Sequence, residues 1–414
     1  AGVAGAGPAV EARRERVVRR LARVPDERDD ARELQARLET SGEPLLKNGS
    51  VYADIFTGGA AEAHFCMTQR GWPAVIRTAS PPALALLSFL HVVSVLRIVV
   101  LLVVELGLAL VDTIRGLIAR ENLWRELKFI PSRVAVCVLM REIVVVRSAM
   151  DLMRGLPIVH MNFLAYDEQS HRRGPDSRFA HWSLKGIDGA IRRVYKAAAR
   201  SMMRDYDVWI YSDHGQGAFT PYPQMHGETV HEAISRVFDK TVGQHAGDRD
   251  GVQLRRARML SRKRHRPETQ PPDRPPIVTA LGPLGIVYLD TRVSEAERDR
   301  MANALVSEAH LPLVAAAGAP GEARVWNGRG TYVLPKDARA VIGDDHPFAQ
   351  AVSEDLIALC HHPHAGDFLL SGYAPGQTSV TFPVENGAHG GFSVGATSAL
   401  ALLPADAPLP DRGT

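Results

Sequence analysis

Apolar positions recur along this chain in three rhythms, and each predicts a different kind of element. Short apolar runs bounded by polar or glycine residues predict strands at Ile158–Tyr166, Asp207–Ser212, Gly285–Leu289, Ala323–Trp326, Gly330–Leu334 and Asp367–Gly372. Ser398–Leu403 is expected to be the last core strand. Helical spacing predicts helices over Asp26–Glu39, Leu117–Arg147, Phe179–Arg204, Ser294–His310 and His346–Cys360. Trp182, Ile187, Ile191 and Val194 form the apolar stripe of the third of these. The remaining rhythm is an almost unbroken apolar stretch, Ala83–Val111.

A strand at Ile158, a helix over Phe179–Arg204 and a strand at Val208 together predict a βαβ unit, whose strands run parallel. The expected fold class is therefore α/β, a mostly parallel sheet flanked by helices, with a hydrophobic helical insertion. The expected organisation is an amphipathic helical segment over 1–50 and a partial α/β region over 51–150 that carries the insertion at 83–119. A main α/β domain follows over 151–242 and 277–406. It is interrupted at 243–276 by a flexible segment rich in Arg, Lys, Asp and Pro, with the run Arg262-Lys263-Arg264-His265-Arg266.

The stretch Ala83–Val111 is 29 residues long, more than the roughly 20 needed to span a bilayer. Arg97 and Glu105 interrupt it, and each would cost about 2.5–3.5 kcal/mol near the bilayer centre. A single crossing would also separate the two parts of the fold. An excursion lying in a membrane surface, or buried as core helices, is the expectation. Arg115, Arg120, Arg125, Lys128, Arg133, Arg141 and Arg147 flank it and suit lipid headgroups as well as an ordinary solvated helix face.

Composition adds bounds rather than identity. The chain is 45% hydrophobic and 23% charged, as ordinary globular proteins are. A net charge of +3 over 414 residues gives no reason to expect a nucleic-acid partner. Cys66, Cys137 and Cys360 are an odd number and far apart, so they form no fully paired disulfide framework. The compartment stays open between membrane-associated or cell-envelope and cytoplasmic, with the former favoured.

Candidate chemistry lies where predicted strands end. Asp167 closes the first strand and His171 follows four residues later, one helical turn on and on the same face. Asp213 and His214 follow the second strand in Ser212-Asp213-His214-Gly215, and His389 lies among the glycines of Asn386-Gly387-Ala388-His389-Gly390-Gly391. Ligands of open α/β sheets bind at the C-terminal ends of strands, and Asp with His suits a cation such as Zn²⁺. His361, His362 and His364, gathered around Pro363, are read as a helix exit rather than a metal site.

Tyr166-Asp167-x-x-x-His171, Ser212-Asp213-His214-Gly215 and Gly387-x-His389-Gly390, in that order, resemble the alkaline phosphatase superfamily, and most nearly its type I phosphodiesterase/nucleotide pyrophosphatase branch. The resemblance runs from about Gly155 to Pro404, apart from Gly243–Pro276. It implies a two-zinc centre, with Asp167, His171 and His389 on one ion and Asp213 and His214 on the other, Mn²⁺ being the alternative metal. It implies hydrolysis of small phosphate esters through a phospho-enzyme. That family has a further zinc-binding Asp at the end of its first strand and a Ser or Thr nucleophile after it. No apolar strand ending in Asp precedes residue 50, and Thr57 reads as a helix cap, so no nucleophile is assigned. A C-terminal fragment or a damaged gene product is the expected explanation. A phosphomutase of the same superfamily and an inactive membrane-surface binding protein, docking through 83–119, are the alternatives.

Overall fold

The structure is a computed structural model and describes residues 27–38, 42–68, 135–239, 242–244, 276–289, 291 and 293–407, with scattered positions between 96 and 110. The chain divides into two units. One holds the described residues within 26–169, 177–211 and 401–407, and the other those within 170–176 and 212–400.

The first unit is built on a three-residue strand, β1 (Ser50–Tyr52), which lies between β2 (Glu62–His64) and β3 (Val159–Met161) and parallel to both. Val51 and Tyr52 are wholly buried. Gly49 lets β3 come close, since a Cβ there would stand 2.4 Å from the Ile158 carbonyl oxygen. The helices of this unit are α1 (Glu27–Leu38), α2 (Arg141–Arg154, entered through a π-helical turn at Ala135–Met140), the first residues of α3 (Ala165–Arg173) and α4 (Arg178–Ala198). Ser177 caps α4, its hydroxyl accepting from the Ala180 amide at 3.2 Å. Val145 and Leu152 of α2 pack on Ala190, Val194 and Ala198 of α4, with Val159 and Met161 of β3 against them. Arg193 closes the α2–α4 seam with two 2.7 Å hydrogen bonds to the Glu142 carboxylate, which is 1% exposed. A carboxylate buried that deeply needs such a bidentate partner. Tyr52 likewise donates to buried Asp151, and burial together with that carboxylate pushes its phenol well above the usual range.

The second unit holds a seven-stranded sheet. Its strands are β7 (Gly243–Gln244), β8 (Ile277–Leu281), β9 (Leu284–Tyr288), β10 (Leu313–Ala317), β11 (Ala323–Asn327), β12 (Gly330–Leu334) and β13 (Phe368–Ser371). The order is β12-β11-β10-β13-β9-β8-β7, antiparallel at every pairing except β7 with β8. One face, with Val314, Ala316, Val287 and Leu370, packs on α5 (Tyr222–His226), α6 (Val230–Phe238) and α7 (Glu295–Ser307). The other face, with Leu313, Ala315 and Leu369, packs on α8 (Ala338–Ile342) and α9 (Ala349–Cys360). Strands inside this sandwich bury both faces, so Leu313–Ala317 reads as one apolar run rather than an alternation.

The fold is thus mixed α/β with several sheets, and it departs from expectation in instructive ways. The largest sheet is antiparallel rather than mostly parallel, because β8–β9 and β11–β12 are joined by turns of two residues, too short for a crossover. The expected βαβ pair does not share a ladder. β3 pairs with β1, whereas Ile210–Tyr211 (β4) pairs antiparallel with Ala401–Leu402. That last strand is exposed and not part of the core, Leu402 being 62% exposed. A strand running to an Asp does exist in the N-terminal part: β1 leads to Asp54, and three residues were too few to register as an apolar run. No helix starts at Thr57. It stands in a glycine turn where Gln35 holds both its amide and its hydroxyl, at 3.0 and 2.8 Å.

Most of the apolar stretch 83–111, and of 243–276, lies outside the described residues. The positions described between Leu96 and Leu110 are helical. No helix among the described residues is long and apolar enough to cross a membrane. Two of the flanking cations point inward instead of toward headgroups. Arg141 is buried over Gly186, and Arg147 reaches the His64 ring at 3.4 Å.

The two kinds of strand should respond differently to truncation. Leu370→Ala, at a wholly buried site, is expected to cost about 2–5 kcal/mol. Leu402→Ala should stay within roughly 0.5 kcal/mol. Denaturant midpoints of the two variants measure the contrast.

Candidate metal centre

The site forms because two distant loops are fastened to one helix. In α3 the acidic residues Asp167 and Glu168 occupy the first turn, and His171, Arg172 and Arg173 the last, a charge order that suits the helix dipole. The last carbonyls of a helix lack internal partners. Here Asn386 supplies two, its backbone amide donating to the His171 carbonyl and its side-chain amide to that of Arg172, both at 2.8 Å. The next residue must be glycine, because a Cβ at Gly387 would lie 2.3 Å from the Ser170 carbonyl oxygen.

From this anchor the register carries the second loop in. Gly387–Ala388 (β15) pairs antiparallel with Gly217–Ala218 (β5), Ala388 standing opposite Gly217. Continuing that register moves His389 toward the residues just before Gly217, and His214 is three positions back. The His214 loop is itself held from the other side. Gly215 donates its amide to the Ala396 carbonyl at 3.1 Å, and a Cβ there would strike the carbonyls of Gly395 and Ser398. The His214 and His389 rings consequently stack, 3.5 Å between centroids, and the His171 ring meets that of His389 edge-on at 5.1 Å.

Asp167, His214 and His389 each offer a ligand atom, all within 4.8 Å of one another, and this group could hold a metal ion. Asp167 lies in the first turn of α3. The donor set, one carboxylate and two imidazoles, suits Zn²⁺ or Mn²⁺ and leaves positions for other ligands. A tetrahedral zinc would need its ligand atoms about 3.3 Å apart, closer than the spread of up to 4.8 Å here, so the side chains would have to draw in. Imidazole lone pairs lie in the ring plane, and planes only 15° apart cannot both aim at one ion. One of the two rings must turn on binding. His214 is the better held, since its Nδ1 donates to the Gly215 carbonyl at 2.8 Å, which leaves Nε2 with the free lone pair.

The five residues expected as ligands are placed unequally. Asp167 and His389, expected on one ion, are joined by His214, expected on the other. His171 is buried beside them, its Nδ1 3.3 Å from the carboxylate of Glu385. Asp213 stays outside the group; its side chain is 64% exposed and lies 3.5 Å from the ring of His214. Glu385 was missed by the sequence reading. It is 3% exposed, and its nearness to the His389 motif in Glu385-Asn386-Gly387 was the available signal. Carboxylates that accept from a histidine's second nitrogen orient the ring for metal binding.

The remaining histidines have other work. His361 donates to the Glu322 carbonyl at 2.7 Å, and His362 Nδ1 accepts from the His364 amide at 3.2 Å. His226 packs on Tyr222, and burial with the nearby His310 lowers its pKa. No protein-family model matches this chain, and a search of curated proteins finds no match.

If the Asn386–Gly387 anchor assembles the group, breaking it should cost metal affinity without removing a ligand. Gly387→Ala is expected to weaken zinc binding by about 10–100-fold, the range seen when outer-shell support is lost. Competition against a chromophoric chelator measures this, and unchanged affinity would mean that the anchor does not set the site.

Proposed function

We propose that this chain is a metal-dependent phosphoric ester hydrolase of the phosphodiesterase/nucleotide pyrophosphatase or phosphatase type, with an architecture of the alkaline phosphatase superfamily. One observation carries the reading: residues from three separate motifs, Asp167, His214 and His389, gather within ligand distance of one another. Chance occurrences of Asp-x-x-x-His or Asp-His-Gly have no reason to converge. A bound divalent ion supplies positive charge that stabilises the oxygens of a phosphoryl group during displacement.

The chain's own residues supply the ligands and their support. Asp167 provides the negative charge that favours a cation. His214 is kept in one tautomer by the Gly215 carbonyl. His171, its Nδ1 3.3 Å from the Glu385 carboxylate and its ring edge-on to that of His389, is placed to serve as a further ligand. A second zinc, as the resemblance implies, would draw on Asp213, which is exposed and would have to give up the 3.1 Å bond its Oδ1 accepts from the His214 amide. A phosphomutase would use the same ligands, with Mn²⁺ the usual alternative.

A second reading has its own support. Val99, Val100 and Val103, at helical positions, are 50–66% exposed, which favours a membrane-surface role for that segment.

Turnover of a chromogenic phosphodiester separates these readings. On the hydrolase reading, chelation abolishes turnover and Zn²⁺ or Mn²⁺ restores it. His389→Ala then lowers kcat/KM by more than the roughly 10–100-fold typical of outer-shell changes. Zinc-loaded protein with no turnover, or turnover indifferent to chelation, would overturn the proposal.

A further inference from the structure

A separate group of reactive side chains lies in the first unit. Asp54 follows β1 after Ala53, whose φ of +59° turns the chain sharply there. His160 lies on the neighbouring parallel strand β3, paired with Val51, so carboxylate and imidazole come from adjacent strands near one sheet edge. Asp54 Oδ1 is engaged by the Ile55 amide at 2.6 Å, while Oδ2 faces His160 Nδ1 at 3.4 Å. On the far side of the ring, His160 Nε2 is 2.9 Å from the Tyr211 hydroxyl. Tyr211 belongs to β4, held in place by its pairing with Ala401–Leu402, and is 54% exposed.

The order is carboxylate, imidazole, hydroxyl. A proton on Nδ1 would face Asp54 across 3.4 Å, where no hydrogen bond is formed in this structure, and would leave Nε2 with the lone pair to accept the proton of the phenol. This is the arrangement by which an acid orients a base and the base activates a nucleophile. A phenol ordinarily titrates near 10, far closer to imidazole than an aliphatic hydroxyl does, so the proton moves at smaller cost. Solvent reaches the phenol, as an incoming electrophile must.

We infer that Asp54, His160 and Tyr211 form a proton relay that makes Tyr211 an oxygen nucleophile toward activated phosphoryl or phosphonyl esters. The Tyr211 oxygen bonds to phosphorus, the bond from phosphorus to the leaving group breaks with its electron pair, and the phenolic proton passes to His160 Nε2. The imidazolium faces Asp54, and the proton then leaves to solvent. All three residues lie within one unit, and the relay stands without the metal centre.

A fluorophosphonate probe tests it, fluoride being the leaving group. The full chain is treated with the probe in the presence of a chelator, so that any contribution from bound metal is removed, and modified tyrosines are located by peptide mass spectrometry. Tyr195 is the internal reference, because it is similarly exposed, at 57%. Tyr211 is expected to react at least about 100-fold faster than Tyr195, the lower range for general-base assistance. His160→Gln should erase that advantage and Asp54→Asn should reduce it. Equal labelling of Tyr211 and Tyr195 in the unsubstituted protein overturns the inference and needs no variant to fold. So does an advantage that survives His160→Gln.

Discussion

The candidate centre depends on how the C-terminal end of a nine-residue helix is satisfied. The carbonyls of His171 and Arg172 find their donors in Asn386, and the second of these bonds joins residues 214 positions apart. Each such hydrogen bond is worth only about 0.5–1.5 kcal/mol net, but leaving a buried carbonyl without a donor costs about 1–3 kcal/mol. The asymmetry makes the contact hard to give up. Once it exists, glycine at 387 lets the backbones touch, β15 meets β5, and two histidines from different loops are brought face to face. The ligands are thus positioned by backbone bonds of their neighbours rather than by attraction to one another.

The same logic, on a smaller scale, shapes the first unit. Three short parallel strands have little surface of their own, so the helices α2 and α4 supply the core, and ion pairs close the seams that apolar packing leaves. Glu142 with Arg193, and Asp151 with Tyr52 and Arg154, are buried carboxylates with their partners in place. Removing one partner of such a pair typically costs more than the pair itself contributes. Beside this core lie Asp54, just past β1, and His160, on β3.

Legibility in the sequence followed element length. Helix α4 could be read because Ile187 and Val194 recur at helical spacing and are buried, and Ser294 announces α7 by capping it at the Glu297 amide. Strands β9, β11, β12 and β13 were visible as apolar runs and β10 was not singled out; their antiparallel order was not legible, since a strand buried on both faces looks alike in either kind of sheet. β1 and β15 escaped notice because three and two residues carry no period. For the site, residue types were legible and partnerships were not. Asp167 stands out at the end of an apolar run, and His214 and His389 by their glycine-rich settings, whereas their grouping arises from a register set between segments some 170 residues apart, Gly217 pairing with Ala388. Glu385 and Asp54 acquire meaning only once the backbone brings a histidine beside them.

The proposed site requires Asp167, His214 and His389 to close on a single divalent ion. X-ray absorption at the zinc edge of the zinc-loaded protein addresses it directly. The expected spectrum has an inner shell of nitrogen and oxygen at about 2.0–2.1 Å with outer-shell scattering from at least two imidazoles. A shell with one imidazole or none, sulfur in the inner shell, or no zinc retained after gel filtration would contradict it.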